Sequence, residues 1–158
     1  MIELSTLLRL ARALERHEAR YVVVGGVAMF AQGLPRVTKD IDLFVEATAD
    51  NVARVKAALI EVFHDPCIDE IELSDLAPPD GGVVRYGPPE GDFLIDILGR
   101  LGEAWSYADL EWQILEIDGV PLRVATPRTL FRMKRDTVRL QDRADAEALW
   151  QKFDLEED

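Results

Sequence analysis

The alternation of hydrophobic and polar positions divides the chain into short elements of two periods. Leu7, Leu8, Leu10, Ala11 and Leu14 recur at helical spacing and predict a helix from about Ser5 to Glu18, with Ser5 or Thr6 as its cap. Tyr21-Val22-Val23-Val24 is a β-branched run expected as a buried strand, broken by Gly25-Gly26 before a short helix over Val27–Ala31. Thr38 to Glu46 alternates with period two and predicts a second strand. Val52, Val55, Leu59 and Val62 give a helix over residues 51–63. The stretch from Asp65 to Asp92, rich in Pro, Gly and Asp, is expected as loop with one strand at residues 83–86. A strand follows over residues 93–98, then a helix. A hairpin of 114–117 and 121–124 turns at Asp118-Gly119. A helix opened by Thr126-Pro127 and a last helix over 143–153 end the chain. The order α-β-α-β-α-β-β-α-β-β-α-α implies an α/β (α+β) fold, a mixed sheet flanked by helices. A chain of 158 residues is expected to form one domain: N-terminal helix 1–20, sheet core 21–125, C-terminal helices 126–153 and an acidic tail 154–158.

Composition narrows the class. The single Cys67 cannot form an internal disulfide, the first residues lack the pattern of a signal peptide, and no apolar run approaches the ~20 residues of a membrane helix. The expectation is a cytoplasmic protein with no membrane partner. Against 18 Lys and Arg stand 30 Asp and Glu, a net charge of −12. Bulk attraction to nucleic acid is therefore excluded, and a polyanionic substrate requires local compensation. The charge is segregated: residues 121–143 hold seven basic residues and two acids. At ~100° per residue Arg128, Arg132, Arg135 and Arg139 share an arc of roughly 60°, while Lys134 lies between Leu130 and Val138 on the apolar side. A lysine there must pair with an acid or a phosphate, or snorkel.

The chemistry concentrates in aspartates. On a strand, Asp40 and Asp42 share one face while Ile41 and Leu43 point to the core. Two carboxylates on one sheet face repel unless a cation lies between them, and oxygen ligands of this kind suit Mg²⁺. Asp96 interrupts another apolar strand; if the strands are neighbours, three acids converge. Leu43, Phe44 and Val45 exclude an EF-hand loop, and the absence of G-K-[ST] after Gly25-Gly26 excludes a Walker loop. Gly25 and Gly26, between a strand and a helix, allow backbone N–H groups to approach a phosphate.

Gly25-Gly26, Arg36-Val37-Thr38-Lys39-Asp40-Ile41-Asp42-Leu43 and Asp96 resemble the nucleotidyltransferase superfamily of the DNA polymerase β type. The R-x-T-x-D-I-D-L form is most similar to the AbiEii-type nucleotidyltransferases, toxins of bacterial toxin–antitoxin and phage-defence systems. Val124-Ala125-Thr126-Pro127, Leu130, Lys134 to Arg139, Asp142 and Asp145 match the C-terminal pattern of that family, so the resemblance spans about Tyr21 to Leu149. It implies a polymerase β-like fold and two Mg²⁺ ions held by Asp40, Asp42 and Asp96. It further implies NTP as substrate, with Gly25, Gly26, Arg36, Thr38, Lys39 and Lys134 as nucleotide contacts. Asp96 would assist loss of the acceptor proton. The acceptor would be an RNA such as a tRNA end, with an antitoxin protein as a partner. The alternatives are NMP transfer to a small hydroxylated molecule of the antibiotic type, and a non-enzymatic nucleotide- or partner-binding module.

Overall fold

The computed structural model describes residues 3–36, 39–89, 91–135, 137 and 139–155. Its helices are α1 (Leu4–Arg16), α2 (Gly25–Ala31), α3 (Ala49–Phe63), α4 (Leu73–Leu76), α5 (Pro127–Arg135) and α6 (Leu140–Phe153). Its strands are β1 (Tyr21–Val24), β2 (Asp40–Val45), β3 (Val83–Tyr86), β4 (Leu94–Leu98), β5 (Arg100–Leu101), β6 (Trp105–Ser106), β7 (Trp112–Ile117) and β8 (Val120–Ala125). Six strands form one mixed sheet in the order β3-β4-β2-β1-β8-β7; β5 and β6 pair separately. β2 and β4 run parallel, as do β1 and β8; the other neighbours in the main sheet are antiparallel.

The register determines what each sheet face presents. Tyr21, Val23, Ile41, Leu43 and Val45 lie on one face, because Tyr21 pairs with Val45 and Val23 with Leu43. That face meets α1, where Leu7, Leu10, Ala11 and Leu14 are buried, and α1 packs on α3 and β8. The opposite face carries Val22, Val24, Phe44 and, in the same rows, the aspartates. Burial here is near complete: Tyr21, Val22, Val23, Ile41 and Phe44 have no exposed surface. Each such side chain contributes about 1.5–3 kcal/mol of transfer free energy. Asn51 ties α3 to the sheet. Its buried amide accepts from Arg20 N at 2.7 Å and donates to the carbonyls of Arg20 and Glu46, both at 2.9 Å. Buried polar groups are tolerated when satisfied in this way.

Four details differ from the pattern-based expectations. The N-cap of α1 is Glu3, not Ser5 or Thr6, and no side chain caps it. The stretch expected as loop holds a 3₁₀ turn at Pro66–Glu70, capped by Asp65, and the helix α4. The helix expected before the hairpin is replaced by the short β5–β6 pair and a 3₁₀ turn at Tyr107–Asp109. Its sequence, with Gly102, Trp105 and Asp109, favours turns: Asp109 accepts from Ser106 N and Oγ. The helix after Pro127 ends at Arg135, so Arg139 falls outside it as the N-cap residue of α6. The four-arginine stripe on one helix is therefore shortened, and Leu140, at the start of α6, is 80% exposed. Ion pairing accompanies the break. In a continuous helix Lys134 and Asp142 would be separated by about 12 Å. The break lets α6 fold back on α5 and bring them to 3.2 Å.

Candidate active site

Three acids meet at the sheet face opposite α1. Asp42 on β2 and Asp96 on β4 are direct register partners on parallel strands, and Asp40 lies two residues before Asp42 on the same face. The expectation that the two acidic strands are neighbours is therefore met. The arrangement is electrostatically costly. The Asp42 carboxyl is pushed up from 3.8 to about 6, first by burial and then by the charges of Asp96 and Asp40. Lys134 opposes that rise only weakly.

The glycines open α2 where β1 ends, and Val24 pairs across the sheet with Asp42. Gly25 has φ +69°, and a Cβ on it would overlap Asp42 Oδ2. The residue is glycine because the carboxylate fills the space a side chain would take. Lys39 is exposed and precedes the acid strand, its carbonyl accepting from Leu94 N at 3.4 Å. Thr38 lies outside the described residues.

Lys134 and Arg36 converge on a fourth acid. Asp145 on α6 accepts from Lys134 Nζ at 2.9 Å, Arg36 Nη1 at 2.6 Å and Gln141 Nε2 at 2.9 Å. Burial pushes the Asp145 carboxyl up, but Lys134, Gln141 and Arg36 together hold it below its usual value. Lys134 also reaches Asp142, whose other oxygen accepts from the Thr137 hydroxyl at 3.1 Å. Lys134 thus pairs with two acids and still lies in the field of Asp42. Arg135 stacks over Phe131 at 5.7 Å, and Phe131 packs on Trp150 at 5.4 Å, so Trp150 belongs to the helix pair. Cys67 is exposed, its thiol pushed up by the charge of Asp65, which keeps it protonated and inert.

The sequence pattern missed Arg85. On β3 it is the register partner of Asp96 and grips it with two bonds, Nε to Oδ1 at 2.9 Å and Nη2 to Oδ2 at 3.2 Å. Its only sequence signal is an arginine in a strand of otherwise apolar and aromatic residues. Among the described residues no three acidic, His or Cys side chains close into a formed metal cage. The donor chemistry nevertheless fits a hard divalent cation: three carboxylates on one face, one of them pushed up to about 6 by burial and by the charges of its neighbours. Two clefts elsewhere have other linings. One of about 610 Å³ lies between Arg9, Phe63, His64 and Phe93, and one of about 920 Å³ between Asp75, Val83, Arg100 and Glu103.

A mixed sheet bearing two in-register aspartates, a third on the same strand and a glycine turn against them defines a nucleotidyltransferase fold. Solved structures agree. The nucleotidyltransferase candidate TM1012 of Thermotoga maritima superposes with a TM-score of 0.59 at 17% identity, covering 98% of this chain and 96% of that one. ANT(2″)-Ia, solved with adenylyl-2″-tobramycin, gives 0.57 at 14% identity, covering 94% and 88%. An antigenic nucleotidyltransferase-like protein of Paracoccidioides brasiliensis gives 0.57 at 18%, covering 95% and 76%. No curated protein sequence matches the chain. The family model of the nucleotidyl transferase AbiEii toxin, type IV toxin–antitoxin system, matches residues 7–148. The chain belongs to that family and is a nucleotidyltransferase. No helix among the described residues is long and apolar enough to cross a membrane.

Proposed function

We propose that the protein, acting as one domain over residues 1–158 in the cytoplasm, transfers NMP from an NTP to a hydroxyl of an RNA, tRNA-like in its end, as the toxin of a toxin–antitoxin or phage-defence pair. The observation that carries this is the Asp42–Asp96 register with Asp40 alongside, three carboxylates among which burial and then mutual repulsion raise Asp42 to about 6. Asp40, Asp42 and Asp96 would hold two Mg²⁺. When bound, Mg²⁺ supplies positive charge to the attacking and leaving oxygens. Asp96 takes the acceptor proton, the acceptor oxygen bonds to the α-phosphorus, and the bond from that phosphorus to pyrophosphate breaks. Gly25 and Gly26 offer backbone donors to the phosphates, with Thr38 and Lys39 nearby in sequence. Arg36 and Lys134 contribute cationic donors from their shared hold on Asp145.

The basic segment around α5 favours an RNA acceptor, since residues 121–143 concentrate seven of the 18 basic residues. The net charge of −12 favours a second reading, a cationic hydroxylated small molecule. One experiment separates them. The protein is incubated with each α-labelled NTP, Mg²⁺, total RNA and an aminoglycoside, and the products are resolved by size and charge. Label on RNA is the expected outcome. Label on the aminoglycoside replaces the first reading with the second. No label on RNA, protein or small molecule defeats both.

A further inference from the structure

Arg85 engages both oxygens of Asp96, and both side chains sit on the same sheet face as Asp40 and Asp42. A bidentate guanidinium leaves few lone pairs free on the carboxylate it grips. A divalent cation bound to Asp96 requires at least one of those same oxygens. The two occupants therefore compete. The partners are also unequally anchored. The Asp96 side chain is 13% exposed and rigid within β4, whereas Arg85 is 63% exposed on β3, the outermost strand of the sheet. Arg85 can swing off into solvent without disturbing the core; Asp96 cannot follow it.

We infer that Arg85 is a positioning residue, a latch that competes with the acceptor-side divalent cation for Asp96. Latched, Asp96 has both oxygens engaged by the guanidinium and is closed to the metal. Unlatched, it joins Asp40 and Asp42. The catalytic consequence rests on the nucleotidyl-transfer reading; the competition itself does not.

The test is Mn²⁺ binding to the full chain without NTP, followed by electron paramagnetic resonance of free Mn²⁺. Arg85→Ala is expected to bind Mn²⁺ roughly five-fold more tightly than wild type, the effect of losing a partly exposed ion pair. Arg85→Lys, which keeps the charge but not the fork, should fall between. The gap should narrow as NaCl is raised, because an exposed pair is screened. A cross-strand pair with a merely structural role would lower the melting temperature and leave Mn²⁺ affinity unchanged. If Arg85→Ala fails to fold by circular dichroism, Arg85→Gln is measured in its place. Unchanged or weaker Mn²⁺ affinity in the folded variant, or no binding to either protein, overturns the latch. Unchanged affinity beside active label transfer by wild type overturns the latch alone. A five-fold gain beside absent label transfer overturns the nucleotidyl-transfer reading alone.

Discussion

Two groups of acids, linked by the field of one lysine, are built on opposite principles. Asp145 sits 5% exposed between α5 and α6 with three donors on it, and its carboxyl is held down. Asp42 sits on the sheet with two other acids beside it, and its carboxyl is pushed up to about 6. Asp145 is complete within the chain: its charge is neutralised by side chains that also fasten α6 to α5 and to the segment before β2. The Asp42 cluster is incomplete, its repulsion relieved by protonation, by Arg85 or by an added cation. A structural site minimises its own free energy, whereas a binding site keeps an excess that a ligand removes.

The contrast should show most strongly in activity. Asp42→Ala or Asp40→Ala is expected to abolish transfer of label from α-labelled NTP, while circular dichroism shows an intact fold. Retained transfer at more than a tenth of wild type would place the chemistry elsewhere. Asp145→Ala should act on stability instead, by about 3–5 kcal/mol in urea unfolding, because Lys134 is left buried with a lost partner. A loss under ~1 kcal/mol would mean that Asp142 alone satisfies Lys134.

Neutralising Asp42 should have the opposite sign. Its folded value lies above the unfolded one, so the folded state binds the extra proton between 3.8 and about 6. Stability from this group is present at low pH and lost as pH rises through that window. In EDTA at about pH 7, Asp42→Asn is therefore expected to stabilise by about 3 kcal/mol, a gain that vanishes below the unfolded value. Asp145 has a depressed value, so its contribution is present above the unfolded value and falls away on acidification. Thermal melts of Asp42→Asn and Asp145→Asn across pH should thus diverge, and parallel curves would erase the distinction. The smallest effect is expected at the turn. Gly25→Ala strains a positive φ and displaces the Asp42 carboxylate, at about 1–2 kcal/mol. Label transfer should drop more than the melting temperature does.

Legibility differed between the two groups for a physical reason. The D-x-D triplet announced itself because strand alternation alone puts Asp40 and Asp42 on one face, and Asp96 stood out as a charge in an apolar run. Lys134 was conspicuous in the same way, an ammonium on an apolar stripe. Asp142, Asp145 and the catalytic acids were all candidate partners for it, and the break after Arg135 brings the first two into reach. Arg85 was invisible as a site residue. Nothing in Val83-Val84-Arg85-Tyr86 tells which strand lies alongside or in what register, and a shift of one residue would turn it to the other face. The helix expected before β7 failed because local side-chain bonds at Ser106 and Asp109 outweigh a weak apolar pattern.

The sequence by itself determined most of the element types, the buried β1 and β2 core, the mixed α/β class and the three acids, since each follows from local periodicity or from a charge out of place. Only the tertiary structure decided that Asp42 and Asp96 are register partners, that Asp42's carboxylate fills the space over Gly25, that Asp145 gathers Arg36 and Lys134, and that Arg85 holds Asp96. Those are contacts between residues far apart in the chain, and their energies depend on distance and burial, which exist only once the strands and helices have packed.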